Sequence, residues 1–116
     1  MHNQTGRKGE ALAVDYFEKK GFEIIHRNWR SGRYEVDIIA SYNGVLHFIE
    51  VKTRTSAAYG HPEDNVTPKK IKFLIDASEA FLYEFPQWKR IQFDVLSVLY
   101  NATGESSFFL IEDVYL

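Results

Sequence analysis

Tyr34-Glu35-Val36-Asp37-Ile38-Ile39-Ala40 and Leu46-His47-Phe48-Ile49-Glu50-Val51-Lys52, joined through Tyr42-Asn43-Gly44-Val45, decide how this chain folds. Both runs are rich in β-branched and aromatic residues, and Asn-Gly is the strongest short-range hairpin signal. With Asn43 and Gly44 as the two loop residues, Tyr42 faces Val45, and the same register sets Asp37 opposite Glu50 and Glu35 opposite Lys52. Side chains alternate along a strand, so these four charged groups are expected on one face of the sheet. Two carboxylates directly opposite each other, with Cβ atoms roughly 5 Å apart, repel. A divalent cation would offset that repulsion, because hard oxygen ligands at this separation can share one Mg²⁺ and an adjacent ammonium can help hold a phosphate or a water. The plainer reading is a solvated polar face with a Glu35–Lys52 cross-strand pair. Val36, Ile38, Ile39, Phe48, Ile49 and Val51 weigh against it, because they make both strands look buried on two sides and put the charges near a core.

The 116 residues suffice for one core and are too few for two, so a single domain over 1–116 is expected. A hydrophobic fraction of 45%, with nine Phe and seven Tyr, rules against disorder. The absence of cysteine excludes disulfides, thiolate zinc sites and cysteine nucleophiles, and fits a reducing cytoplasm. Met1 to Lys8 lacks the apolar stretch of a signal peptide and no run approaches a membrane span, so a soluble cytoplasmic protein with no membrane partner is expected. The net charge is −2, but its distribution matters more. Seven of the fourteen Lys and Arg precede Tyr34 and five more lie between Lys52 and Lys72, whereas the 26 residues after Arg90 carry four acids and no base. The N-terminal two thirds could therefore meet a phosphate backbone, although each of these charges alone is equally explained as helix surface.

No repeat, low-complexity tract or linker interrupts the chain. The pattern predicts a helix over about Gly6–Lys20, with Ala13, Tyr16 and Phe17 inward, Thr5 as a possible cap and Gly21 as a stop. A strand follows over Phe22–Trp29, then a turn through Ser31-Gly32-Arg33 into the hairpin. Thr53 to Val66, with Gly60 and Pro62, reads as a loop. Thr67-Pro68 caps and opens a second helix, whose Ile71, Leu74, Ile75, Ser78, Phe81, Leu82 and Phe85 recur at helical spacing until Pro86. Strands over Ile91–Tyr100 and Ser107–Ile111, joined by a turn at 101–104, complete an order of helix, three strands, helix, two strands. On the first helix Glu10 lies one turn before Ala13 and Val14 at the edge of the inward face; an acid favoured near a helix N-terminus is its bland reading.

Taken together, Gly9-Glu10-x-x-Ala13, Asn28-Trp29, Glu35-Val36-Asp37-Ile38-Ile39, Phe48-Ile49-Glu50-Val51-Lys52-Thr53-Arg54, Val66-Thr67-Pro68-Lys69-Lys70 and Gln92-Phe93-Asp94-Val95 resemble the bacterial YraN family, also called UPF0102. The resemblance covers nearly the whole chain in order. That family looks like a minimal member of the restriction-endonuclease-like superfamily, closest in outline to archaeal Holliday junction resolvases. The resemblance thus implies an α/β fold with a mixed central sheet flanked by helices, in the order α-β-β-β-α-β-β. The superfamily's site combines an Asp, a Glu-x-Lys on the neighbouring strand and often a Glu from the first helix, roles that fall here on Asp37, Glu50, Lys52 and Glu10. Two departures stand out: Val36 replaces the proline that often precedes the aspartate, and Tyr34 replaces a common glycine, placing a ring beside the site.

The implied chemistry is metal-assisted phosphodiester hydrolysis. Asp37, Glu50 and the backbone carbonyl of Val51 would ligate Mg²⁺ or Mn²⁺, and Lys52 would orient the attacking water or stabilise charge in the transition state. Glu10 could complete the shell through water or contact a second ion. Lys70, near the start of the second helix, could approach a substrate phosphate, and Glu35 would position Lys52. Arg30, Arg33 and Arg54 are candidate phosphate contacts that position a duplex without reading its sequence. His61 sits in a loop that could cover the site, though a solvent-facing histidine is the better reading. His26 and His47 read as structural, Asp94 as a buried hydrogen-bonding group or a third metal carboxylate, and Trp29 and Trp88 as packing residues. The expectation is a small nuclease acting on shaped DNA, a homodimer if its substrate is two-fold symmetric. The competing reading is a nucleic-acid-binding or protein-interaction module on a nuclease fold that has no turnover of its own.

Overall fold

The computed structural model describes residues 4–55, 67–100 and 103–114, and for residues 4–7 the backbone only. Helix α1 (Gln4–Lys19) leads into strands β1 (Glu23–Ser31), β2 (Tyr34–Tyr42) and β3 (Val45–Arg54), then helix α2 (Pro68–Glu84) and strands β4 (Ile91–Tyr100) and β5 (Ser106–Ile111). The sequence order of helices and strands is the expected one. The five strands form one sheet in the order β1-β2-β3-β4-β5, with β3 and β4 parallel and every other pair antiparallel. A parallel pair needs a crossover, and α2 lies within it.

The hairpin register is as the Asn-Gly corner dictates. Asn43 and Gly44 have φ of 51° and 78°, the two left-handed residues of a type I′ turn, and the ladder runs Tyr42↔Val45, Ser41↔Leu46, Ala40↔His47, Ile39↔Phe48 and Ile38↔Ile49. It stops there, one pair short of Asp37 and Glu50.

Both faces of this hairpin are covered. On one, Ala13 and Phe17 of α1 pack with Ile38, Ala40, Ile49, Leu96 and Val98; on the other, Leu74, Ala77 and Phe81 of α2 pack with Val36, Ile39, Leu46 and Phe48. The continuous apolar runs of β2 and β3 are the sequence counterpart of that two-sided burial. Trp29 packs edge-on against Phe81 with ring centroids 5.3 Å apart, and Trp88 packs against the α2-side core.

The helix ends follow local chemistry. Gly21, at φ 96°, closes α1 with bonds from Gly21 N–H to Glu18 O and from Phe22 N–H to Phe17 O, a Schellman pair. Thr67 caps α2, its Oγ1 accepting from Lys70 N–H at 3.3 Å, with Pro68 in the first turn. Three expectations are corrected. Helix α1 begins at Gln4, so Thr5 lies inside its first turn rather than capping it. Strand β1 runs to Ser31 rather than Trp29. Thr53 and Arg54 belong to β3 rather than to the loop, because the parallel ladder continues through Thr53↔Val98 and Arg54↔Leu99. The rest of that loop, including His61, lies outside the described residues. Among the described residues no helix is long and apolar enough to cross a membrane.

Candidate metal and phosphate site

The site forms where β2 and β3 part. Beyond Ile38↔Ile49 the main-chain ladder ends, and Asp37 takes its place with a side chain: Oδ2 accepts a hydrogen bond from Val51 N–H at 2.8 Å. Asp37 and Glu50 are therefore not a regular ladder pair, as the extrapolated register had them; the Asp37 carboxylate is drawn into the seam between the strands. In an antiparallel arrangement the N–H and C=O of one residue point to the same neighbouring strand, so the Val51 carbonyl is directed toward this seam as well.

The Asp37 carboxyl is raised from 3.8 to about 6. Burial is the main cause, opposed by the Val51 hydrogen bond and reinforced by the negative charges of Glu10, Glu50 and Glu35. Three acids, one each from α1, β2 and β3, are thus close enough for their charges to act on the half-buried Asp37. Helix α1 delivers Glu10 because Gly9 lets it ride directly on β3: a Cβ on Gly9 would stand 1.9 Å from Thr53 Oγ1 and 2.6 Å from its Cγ2.

Glu50 carries the second anomaly. Lys52 Nζ lies 3.4 Å from the buried Glu50 Oε2, a long ion pair and, among the described residues, the one cationic contact this oxygen has in place of a short hydrogen bond. Buried carboxylate oxygens are normally satisfied, so the arrangement suits an added positive group. Lys52 is flanked by Lys70 from the first turn of α2. Burial lowers the Lys52 ammonium, but a hydrogen bond to the Lys70 amine and the negative charges of Glu50 and Asp37 outweigh it, and the group sits above the usual lysine range. Lys70 is pushed below that range by burial and by Lys52 and Arg54 beside it. The end of β3 and the start of α2 therefore gather three cations, Lys52, Lys70 and Arg54, next to the acids.

Other candidates go elsewhere. Glu35, expected to pair with Lys52, is gripped by Arg30 across β1–β2, with Arg30 Nε and its terminal nitrogen each 2.9 Å from Glu35 Oε2. Arg33 is exposed and lies over the Tyr34 ring, 5.3 Å from its centroid. Tyr34 itself leans on Phe73 of α2 with centroids 5.2 Å apart, so its ring is engaged by the helix. Asp94 is not part of this site. It is buried and accepts from Gln92 Nε2 and Asp113 N–H at 2.9 Å, while its other oxygen meets His47 Nδ1 at 2.6 Å. His26 packs edge-on against Phe81.

Asn28, read in the sequence only as part of a motif, has an unusual environment. It holds φ of 54° in the interior of β1, and its buried Oδ1 has no hydrogen-bond partner. Asn is depleted in strands and tolerant of left-handed backbone, which is the signal that could have marked it.

Among the described residues no three His, Asp or Glu side chains form a ready-made metal cluster. The donor set is instead hard oxygen of mixed kind: Asp37, Glu50 and a main-chain carbonyl. Its unsatisfied Glu50 oxygen and the crowding of negative charge on Asp37 fit a divalent cation of the Mg²⁺ type.

Comparison with known proteins places the chain in a family. A family model described as uncharacterised protein family UPF0102 matches residues 9–98, from Gly9 within α1 to Val98 near the end of β4. A UPF0102 protein of Phocaeicola vulgatus is 42% identical over 113 residues, covering 97% of this chain and 90% of its own length. One from Chlorobaculum parvum is 46% identical over 103 residues, covering 88% and 80%. A third, from Bacteroides fragilis, is 40% identical over 113 residues, covering 97% and 90%. With the family model spanning most of its length and relatives this similar from end to end, the chain belongs to the UPF0102 family.

Proposed function

We propose that this protein is a metal-dependent nuclease that hydrolyses DNA phosphodiester bonds in the cytoplasm. In this reading its fold is of the restriction-endonuclease-like kind, and its substrates are branched or otherwise shaped DNA, as for Holliday junction resolvases. The observation that carries the reading is the seam at Asp37: a half-buried carboxyl, held by Val51 N–H and raised to about 6 by desolvation and by three neighbouring acids, beside a buried Glu50 oxygen whose nearest cation is Lys52 Nζ at 3.4 Å. Lys52 pairs with Glu50, but three acids still crowd Asp37, a concentration of negative charge that a divalent cation would offset.

Asp37, Glu50 and the Val51 carbonyl would hold Mg²⁺ or Mn²⁺, which when bound supplies charge to polarise a phosphoryl oxygen and lowers the pKa of water. Val51 N–H fixes the Asp37 carboxylate in the seam. Lys52, tethered by Glu50, donates hydrogen bonds to the attacking water and to the phosphoryl oxygen that gains charge. Glu10 accepts from the water at the opposite side. Lys70 and Arg54 contact the flanking phosphate, with the N-terminus of α2 adding its dipole, while Arg30, near the end of β1, and Arg33, in the β1–β2 turn, meet a more distant one. Few elements remain to read base edges, so selection by shape is the economical mode, and a two-fold symmetric junction would engage two copies.

Linear, nicked, flapped and four-way DNA incubated with the protein and Mn²⁺ test this directly. Cleavage of at least one branched form, lost in Lys52→Ala while DNA binding persists, is expected. Binding without cleavage in any condition would favour a nucleic-acid-binding module instead, and neither binding nor cleavage would remove the nucleic-acid reading altogether.

A further inference from the structure

Among the described residues, two buried side-chain oxygens lack a hydrogen-bond partner: Glu50 Oε2 and Asn28 Oδ1. They lie on the strands either side of β2. Asn28 falls between the pairs Arg27↔Ile38 and Trp29↔Val36, which sets it across from Asp37 on β1, as Glu50 stands beyond it on β3. These two oxygens thus belong to the strands on either side of the residue that the proposed cation site is built around, and among the described residues only Glu50 Oε2 of the two faces a cation, Lys52.

Among the described residues Asn28 is also one of three non-glycine residues with positive φ, and of these the one within a strand, since Asn43 is in the hairpin turn and Asp113 follows β5. A left-handed residue in a strand interior is a local cost that persists when the surroundings over-determine it, and such residues concentrate at functional sites. Register explains neither feature, because β1 and β2 pair in regular step on both sides of Asn28.

We propose that Asn28 is a positioning residue of the Asp37–Glu50 site, its amide oxygen accepting a hydrogen bond from water carried by the bound cation. The inference rests on the metal-site reading above. Mg²⁺ gives up its water reluctantly and is held by one or two carboxylates with several waters in place, so neutral oxygens that receive those waters are part of the binding site. Outer-shell partners of this kind are worth about 10–100-fold in metal affinity. The site has two carboxylate ligands, and Asn28 adds an oxygen without adding to the charge already crowding Asp37.

The left-handed backbone supplies the right variants. Glycine adopts φ near +54° without strain, so Asn28→Gly deletes the amide and leaves the chain path relaxed, whereas Asn28→Asp keeps an oxygen at the same place. Mn²⁺ affinity is measured by electron paramagnetic resonance on the wild type, Asn28→Gly, Asn28→Asp and Asp37→Asn, with metal-free melting temperatures alongside. Asn28→Gly is expected to bind Mn²⁺ at least tenfold more weakly with an unchanged metal-free melting temperature, and Asn28→Asp to recover wild-type affinity or exceed it. Unchanged affinity in Asn28→Gly, with Asp37→Asn abolishing binding, would overturn the role of Asn28 and leave the metal site standing. Equal loss in Asn28→Gly and Asn28→Asp would overturn it too, pointing to the amide N–H groups or to packing. Absence of Mn²⁺ binding in the wild type would overturn both readings.

Discussion

Asp94, fully buried, and Asp37, half-buried, are acids on the two strands that flank β3, yet they are treated in opposite ways. Asp94 receives Gln92, Asp113 N–H and His47, so every element around it supplies a donor. Asp37 receives one backbone N–H and is surrounded by Glu10, Glu50 and Glu35. The positions on β3 that serve them, His47 and Val51, are four residues and roughly 13 Å apart. A fold able to satisfy one acid completely leaves the other short of positive partners. The first is a structural polar network; the second is a site made ready for something from outside.

The comparison can be broken hardest at its satisfied end. Asp94→Ala strands three donors and should lower stability by about 3 kcal/mol or more in urea unfolding, seen as a lower midpoint at unchanged slope. A loss under about 1 kcal/mol would mean that the network is not structural.

Asp37→Asn should act with the opposite sign. Its folded-state pKa of about 6 lies above the ordinary 3.8, so the neutral form is favoured in the fold: that contribution is whole below about pH 4 and is lost as pH rises through 6. At pH 7 the ionised group then costs on the order of 3 kcal/mol. Metal-free Asp37→Asn should therefore be more stable than the wild type by up to that amount at pH 7, converge with it near pH 4, and keep the Val51 bond through its amide oxygen. Equal stabilities across this range would contradict the account.

Gly9→Ala sharpens the picture of how Glu10 reaches the site. The overlap with Thr53 should cost about 1–3 kcal/mol, outweighing the roughly 1 kcal/mol that alanine offers a helix. In a Thr53→Gly background the same change should become neutral or stabilising. The smallest effect is at the exposed Arg30–Glu35 pair, where Arg30→Ala should change stability by less than about 1 kcal/mol.

Much of this was legible in the residues. Asn43-Gly44 and the apolar runs beside it determined the hairpin, its register to Ile38↔Ile49 and the burial of both faces. Thr67-Pro68 and Gly21 marked helix ends where they occur. The parting of the strands was not legible, because it depends on Asp37 replacing a main-chain acceptor, a choice that periodicity does not encode. The same holds for Glu35, whose partner came from β1: a two-strand register sees one neighbour of β2, and the sheet supplies two. The extension of β3 through Arg54 required β4, 45 positions along the chain at Leu99↔Arg54. Asn28 was visible as a residue and silent as a conformation.

The central claim is that the Asp37–Glu50 seam takes a divalent cation, and thermal melting with increasing Mn²⁺ at pH 7.5 tests it most directly. The wild type should gain stability with Mn²⁺ concentration, as a ligand bound only to the folded state requires, while Asp37→Asn and Glu50→Gln start from their own metal-free values and stay there. A wild-type melting temperature indifferent to Mn²⁺, or the same rise in all three proteins, would contradict it.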